Sequence, residues 1–152
     1  VFSVYNMGGI RADFAKGDIN VGDVSEVAPF ENKICFLTLT GEKVLDLCQQ
    51  IAHRGGEGVS HAVRMVITRD GKLKGVTLNG EPVDPAKSYR IATLDYLAEG
   101  NDQLVAFKSG TDVVAPKSKE NNVRYIIMDY LREMKVQGKV VESRVEGRCV
   151  VE

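Results

Sequence analysis

The segment Lys33–Thr40, KICFLTLT, constrains the fold most, because it is apolar at almost every position. A strand with one wet face alternates apolar and polar residues, whereas a strand covered on both faces reads as a continuous apolar run. We therefore predict a strand covered from both sides. An amphipathic helix follows directly, with Thr40 as its N-cap and Val44, Cys48 and Ile51 at helical spacing.

Strands outnumber helices in the rest of the chain. Asp70-Gly71 separates two apolar runs and predicts a tight antiparallel hairpin. Further strands are predicted in VFSVYN, which ends at Asn6, in SYRIATLDYL and in the closing segment KVVESRVEGRCVV. A short helix closed by Pro29 and a longer helix that begins near Asn122 complete the pattern. These elements predict an α+β domain in which helices cover the faces of sheets.

Length and charge exclude several classes of protein. The chain has 152 residues, which suits one domain over residues 1–152. Its 20 basic and 21 acidic residues give a net charge of −1, so we expect no nucleic-acid partner. No apolar run approaches the roughly 18 residues of a membrane span. Because the chain opens with Val1 and no leader pattern, we expect a piece that has been processed or truncated at its N-terminus.

The sequence predicts neither a catalytic residue nor a metal or cofactor site in this chain. Cys35, Cys48 and Cys149 are widely spaced without a CxxC pair, so we expect three small buried hydrophobes rather than a disulfide framework or a zinc site. His53 and His61 have no carboxylate at metal-ligand spacing. Phosphate-binding and nucleophile-elbow motifs do not occur.

A glycine pair follows the first strand, within the segment at residues 6–11 that we call the glycine loop. Gly8 and Gly9 permit positive φ and close approach of a ligand to the backbone. Arg11 offers a fork of donors to an anionic or hydroxylated ligand. A tight turn whose arginine pairs with a surface carboxylate is the alternative, and the local pattern leaves both open.

Two later loops carry aromatic and acidic side chains. Pro29 fixes the direction of Phe30, which is either a platform for a flat ring or a plug at the edge of the core. Tyr96 is predicted at a strand end, with Asp102 in the polar loop beyond it. A carboxylate there accepts from two adjacent hydroxyls, as on a ribose, or caps its own turn. The residues alone do not decide between these interpretations.

The motifs become specific when they are taken in order. N-x-G-G-I-R-A-D is followed by G-D-I, D-V, P-F-x-N, L-T-G and then Y-R-I-A-T-x-D-Y-L-A-x-G-x-D. This series resembles the C-terminal domain of the 5′-nucleotidase family, which includes bacterial UDP-sugar hydrolases, from Asn6 to the final strand. The resemblance implies layered mixed sheets covered by helices and a periplasmic or cell-surface location.

The resemblance also implies roles for individual residues. Phe30 and Tyr96 match the two aromatic positions that sandwich the base, and Asn32 matches the polar residue that hydrogen-bonds it. Asp102 matches the carboxylate that accepts from the ribose hydroxyls. The positions that line the ribose and phosphate side match Asn6, Gly8 and Arg11.

In the family, a metallophosphoesterase domain holds two divalent metal ions and the catalytic residues, and the C-terminal domain presents the nucleotide to them. That catalytic domain is absent from this chain, so the resemblance implies a partner domain on the same or a separate chain. We expect this chain alone to be inactive. The alternative is a stand-alone nucleotide- or nucleoside-binding module without hydrolase activity. Two positions depart from the family pattern, because Asn101 and Gln103 flank the acidic residue where glycines are common.

Overall fold

Two mixed β-sheets form the framework of the computed structural model, which describes all 152 residues. The first sheet has the spatial order β3 (Gly58–Val59), β1 (Phe2–Tyr5), β7 (Ser88–Leu94), β2 (Ile34–Thr40) and β8 (Thr111–Val114). The second has the order β6 (Glu81–Pro82), β5 (Leu73–Leu78), β4 (Val63–Ile67) and β9 (Cys149–Val151). The helices are α1 (Val21–Val27), α2 (Gly41–His53), α3 (Asp95–Ala98) and α4 (Val123–Val136).

Strand β2 and helix α2 form where the sequence predicts them. Cys35, Leu37 and Leu39 are fully buried on one face of β2, while the other face is half-buried. Thr40 caps α2, since its hydroxyl oxygen accepts from the backbone N–H of Lys43 at 3.3 Å. The apolar stripe of α2 contacts β2 and β7 of the first sheet and β5 of the second. One helix therefore joins both sheets in a single core, and the α+β prediction is confirmed.

The predicted hairpin and the N-cap of the last helix are also confirmed. Strands β4 and β5 pair antiparallel around the turn at Asp70-Gly71, where Gly71 has φ +81°. Helix α4 begins after Asn122, whose side-chain oxygen accepts from the backbone N–H of Arg124 at 3.0 Å. None of the helices combines the length and apolar character needed to cross a bilayer.

Two strand predictions were too long. Strand β7 ends at Leu94, and Tyr96 lies in the short helix α3 rather than at a strand end. The carboxylate of Asp95 accepts from the backbone N–H groups of Lys33 and Tyr96, which turns the chain out of the sheet.

The closing segment forms a strand only at Cys149–Val151. Gly147, at φ +71°, turns the chain immediately before this strand, and the residues that precede it are mostly exposed and charged. Of the three cysteines predicted to be buried, Cys35 and Cys48 are buried, but Cys149 on this edge strand is only half-buried.

Strand order brings three loops to one edge of the first sheet. Strand β1 runs parallel to β7, with Ser3 opposite Ala92, so both strands end at the same edge. Strand β2 runs antiparallel to β7, with Ile34 opposite Leu94, so β2 begins there. The glycine loop, the segment at residues 28–33 (the aromatic loop) and the segment at residues 95–103 (the acidic loop) therefore leave the sheet side by side.

Replacing Gly41 by alanine tests the junction of β2 and α2. A Cβ at this position would lie 1.8 Å from the carbonyl oxygen of Asp84, so the backbone would have to move. We expect Gly41→Ala to lower the free energy of unfolding by about 1–3 kcal/mol, as overpacking does. Urea denaturation measures the change. Gly75→Ala is the matched control, because nothing lies within 4 Å of its added Cβ; equal losses in both variants would contradict the expectation.

Candidate functional site

The carboxylate of Asp102 joins the glycine loop to the acidic loop. Its Oδ2 accepts from the side-chain amide of Asn6 at 2.8 Å, and its Oδ1 accepts from the hydroxyl of Tyr96 at 2.7 Å. Arg54 Nη2 lies 3.9 Å from Oδ2, within ion-pair range but beyond hydrogen-bond distance. Three of the predicted site residues, Asn6, Tyr96 and Asp102, are therefore in direct contact.

The backbone of the acidic loop is left-handed where glycine would be expected. Asp102 has φ +56° and Gln103 has φ +64°, conformations that side chains with a Cβ rarely adopt. Asn101 supports the turn, since its amide donates to the carbonyl of Tyr96 at 2.7 Å. Asp102 bonds to Asn6 and Tyr96 rather than to the backbone of its own turn, so the alternative in which it caps that turn is not what the structure shows.

The two glycines of the glycine loop serve different purposes. Residues Met7–Gly9 form one turn of 3₁₀-helix, and neither glycine has positive φ. A Cβ on Gly9 would lie 3.0 Å from the ring of Tyr5 and 3.1 Å from Asn6 Oδ1, so these side chains would have to shift slightly to admit one. A Cβ on Gly8 would meet nothing closer than 4.0 Å. The sequence did not predict that Gly9 lies close against Tyr5. Gly8 is the glycine on the open side of the loop.

The aromatic loop contacts the glycine loop through its exposed ring. The guanidinium carbon of Arg11 lies 5.1 Å from the centroid of the Phe30 ring, the range of a cation–π contact. Phe30 is 43% exposed, so it does not plug the core. The backbone N–H of Arg11 donates to the carbonyl of Val27 at 2.9 Å, which fixes the glycine loop against α1.

Asn32 is positioned by its backbone rather than by its side chain. Its carbonyl accepts from the backbone N–H of Val123 at 3.0 Å, at the start of α4. Its side-chain amide is half-buried and makes no hydrogen bond within the protein. Donor and acceptor atoms of Asn32 are therefore free to bind a ligand.

The ring of Tyr96 is exposed, whereas its hydroxyl group is already hydrogen-bonded to Asp102. The residue is 38% exposed. Its hydrogen bond to the carboxylate of Asp102 raises the pKa of the phenol, and burial raises it further. The hydroxyl group thus stays protonated and holds the ring beside Asp102 at neutral pH.

A second ion pair, which no sequence pattern predicts, lies beneath the glycine loop. The side chain of Glu57 is only 2% exposed. Its carboxylate accepts from Arg54 Nε and from the backbone N–H of Met7, both at 2.6 Å. Arg54 therefore contacts Glu57 and Asp102 at once. The only sequence signal was an acid three residues after an arginine at a helix end, which is too common to indicate burial.

No three His, Cys, Asp or Glu side chains are grouped as metal ligands in the structure. The site consists instead of hydrogen-bonding groups, one arginine on a ring face and two exposed aromatic rings. Such an arrangement is suited to binding a polar ligand that carries a flat ring.

Comparison with known families identifies the class to which this domain belongs. The family described as 5′-nucleotidase, C-terminal domain, matches residues 1–109. The chain belongs to this family, and the resemblance drawn from its motifs is confirmed.

Comparisons with individual proteins agree. Protein UshA of Escherichia coli is 39% identical over 104 residues, which cover 66% of this chain and 19% of UshA. The cell wall protein Lmo0130 of Listeria monocytogenes is 27% identical over an alignment that covers 98% of this chain and 20% of that protein. A 5′-nucleotidase precursor from Thermus thermophilus superposes with a TM-score of 0.84 at 30% identity, covering 99% of this chain and 31% of the other. The chain thus spans about a fifth of the length of these curated relatives.

Titration of Tyr96 tests the geometry of the site without a ligand. Asp102→Asn removes the charge that favours the neutral phenol, so we expect the pKa of Tyr96 to fall toward its ordinary value. Tyrosine ¹³Cζ chemical shifts, assigned with Tyr96→Phe, follow the ionisation. Asp129→Asn, on the exposed face of α4, is the control and should leave the Tyr96 curve unchanged. An unaltered pKa in Asp102→Asn would show that the hydroxyl and the carboxylate are not bonded in solution.

Proposed function

We propose that this chain is the substrate-binding domain of a 5′-nucleotidase-type, metal-dependent phosphohydrolase. It holds the nucleoside part of a nucleotide and presents the phosphate to a catalytic domain. The observation that carries the proposal is the carboxylate of Asp102, held at the loop edge of the sheet by donors from two loops and flanked by an exposed aromatic ring.

Asp102 is the proposed acceptor for the ribose hydroxyls. An ionised carboxylate offers about four lone-pair positions on its two oxygens. Asn6 and Tyr96 each occupy a position on a different oxygen, which leaves further capacity on both. Two neighbouring hydroxyls match this remaining capacity. A ligand without them leaves the partly buried carboxylate undersatisfied, which is costly.

Phe30 and Tyr96 are the proposed aromatic sandwich for the base. Both rings are exposed, and their loops leave the same edge of the sheet. Arg11 lies over one face of Phe30, and the opposite face is the proposed platform for the base. Stacking is worth about 1–3 kcal/mol per base, with little dependence on which base is bound. The free amide of Asn32 is the proposed hydrogen-bonding partner of the base edge.

The phosphate is proposed to extend past Gly8 and Arg11 toward a metallophosphoesterase domain on the same or a separate chain. Two divalent metal ions held by that domain would activate water and stabilise the charge on the phosphoryl group. This chain supplies binding and orientation only. We propose a periplasmic or cell-surface location, which the name of the related Listeria cell wall protein supports.

A stand-alone nucleoside-binding module is the second candidate. Every proposed nucleoside-contacting residue belongs to this chain, and binding requires no metal ligand from it. The reading frame upstream of Val1 discriminates between the two candidates. A metallophosphoesterase domain attached there favours the hydrolase. If neither that frame nor the neighbouring genes encode such a domain, the module is favoured.

Calorimetric titration with adenosine, AMP and UDP-glucose tests the binding site. We expect weak to moderate affinity that falls by about 5- to 150-fold in Phe30→Ala and in Tyr96→Ala, the equivalent of about 1–3 kcal/mol of lost stacking. His53→Ala is the control and should bind as the native chain does. Unchanged affinity in both aromatic variants would reject the sandwich.

Incubation of the chain with Mn²⁺ or Zn²⁺ and either AMP or UDP-glucose tests whether this chain binds the substrate without hydrolysing it. We expect no release of phosphate or of UMP, because no group of metal ligands is present. A malachite-green assay and chromatography detect the products. Steady metal-dependent turnover that disappears in Asp102→Asn would refute the proposal, whereas turnover that persists in this variant would indicate a contaminant.

A further inference from the structure

Arg54 lies outside the three loops but connects two of them. It follows the last residue of α2, and its side chain is 29% exposed. Nε donates to Glu57 Oε1 at 2.6 Å, while Nη2 lies 3.9 Å from Asp102 Oδ2. Two different nitrogens of one rigid, planar guanidinium therefore face two different carboxylates.

Glu57 holds the guanidinium of Arg54 in a fixed position. Its carboxylate is almost completely buried, and its second oxygen accepts from the backbone N–H of Met7 at 2.6 Å. A buried carboxylate is tolerated when it is paired and hydrogen-bonded, and removing one partner is strongly destabilising. Glu57 thus orients the guanidinium and anchors the first turn of the glycine loop at the same time.

Asp102 needs such support because its backbone is strained. Positive φ at two successive residues with side chains costs free energy that the surroundings must offset. Asn6 and Tyr96 hold the carboxylate by neutral donors. Arg54 supplies the only positive charge within ion-pair distance of it.

We propose that Arg54 is a positioning residue for the ribose-binding carboxylate, locked by Glu57 and acting on the ligand only through Asp102. This inference rests on the proposed function and adds a specificity determinant to it. Lysine cannot replace arginine here, because a single ammonium group lacks the two rigidly spaced nitrogens that face Glu57 and Asp102. Discrimination between ribose and 2′-deoxyribose therefore depends on Arg54.

Binding of adenosine and 2′-deoxyadenosine tests the role in specificity. We expect Arg54→Met and Arg54→Lys to weaken the binding of adenosine about tenfold, which lies within the coupling range of residues that share one salt-bridge network. The loss for 2′-deoxyadenosine should be clearly smaller, because that ligand uses Asp102 less. Arg69→Met is the matched control, since this neighbouring arginine makes no ion pair and should bind both nucleosides normally.

A double-mutant cycle separates action through Asp102 from direct contact. We expect Arg54→Met combined with Asp102→Asn to bind adenosine no more weakly than Asp102→Asn alone. The proposal would be overturned if the losses of affinity in the two single variants multiply in the double variant. It would also be overturned if the Arg54 variants lose equal affinity for both nucleosides, or if neither Arg54 variant loses affinity.

Titration of Tyr96 supplies a readout that needs no ligand. If Arg54 holds Asp102 in place, Arg54→Met frees the carboxylate from the Tyr96 hydroxyl, and the pKa of Tyr96 falls. If Arg54 is merely a nearby charge, its removal raises the pKa, because that charge by itself lowers it. Should Arg54→Met fail to fold, Arg54→Lys keeps the charge, so a fall supports positioning and an unchanged pKa overturns it. A chain that binds no nucleoside would refute the proposed function, while the direction of this shift would still decide the role of Arg54.

Discussion

Strand β7 determines where the functional residues of this domain lie. It pairs parallel with β1 on one side and antiparallel with β2 on the other. The end of β1, the end of β7 and the beginning of β2 consequently share one edge of the sheet. Loops that are far apart in the sequence become neighbours there, and the contact between Asn6 and Asp102, which are 96 residues apart, is the direct result.

The site that results is held by charge as well as by hydrogen bonds. Two carboxylates, Glu57 and Asp102, lie within ion-pair distance of Arg54, and both also accept bonds from the glycine loop. The acidic loop and the glycine loop are thereby fixed to the end of α2, an element of the core. Binding groups on loops are most effective when a rigid element supports them, and α2 provides that support here.

Local patterns predicted the elements whose signals are themselves local. The apolar run of β2, the cap at Thr40 and the turn at Asp70-Gly71 each act through neighbouring residues, and each was confirmed. The motif series also identified the family. The ends of strands were harder to predict from the sequence. Strand β7 stops at Leu94 because Asp95 bonds to Lys33, and this contact depends on strand pairing. The charged segment before Gly147 carried apolar residues at strand-like spacing but found no partner strand.

Side-chain partners across loops were beyond the reach of the sequence for the same reason. Nothing local links Arg54 to Asp102, or Glu57 to the backbone of Met7, until the sheet order is known. The glycine pair shows a related limit, since Gly9 lies close against the ring of Tyr5 and does not have positive φ. The roles of Asn6, Gly8, Arg11, Phe30, Asn32, Tyr96 and Asp102 in binding remain predictions that the titrations address.

The short strand β9 has a consequence for the behaviour of the chain in solution. It lies beside β4, whose Val63, Met65 and Ile67 are buried, and its flanking residues pair with the backbone of Met65 and Ile67. A long apolar strand with an open row of backbone groups is a template for cross-chain association. Cys149–Val151 occupy this row of β4, so its backbone groups are paired within the domain and are not open to a second chain.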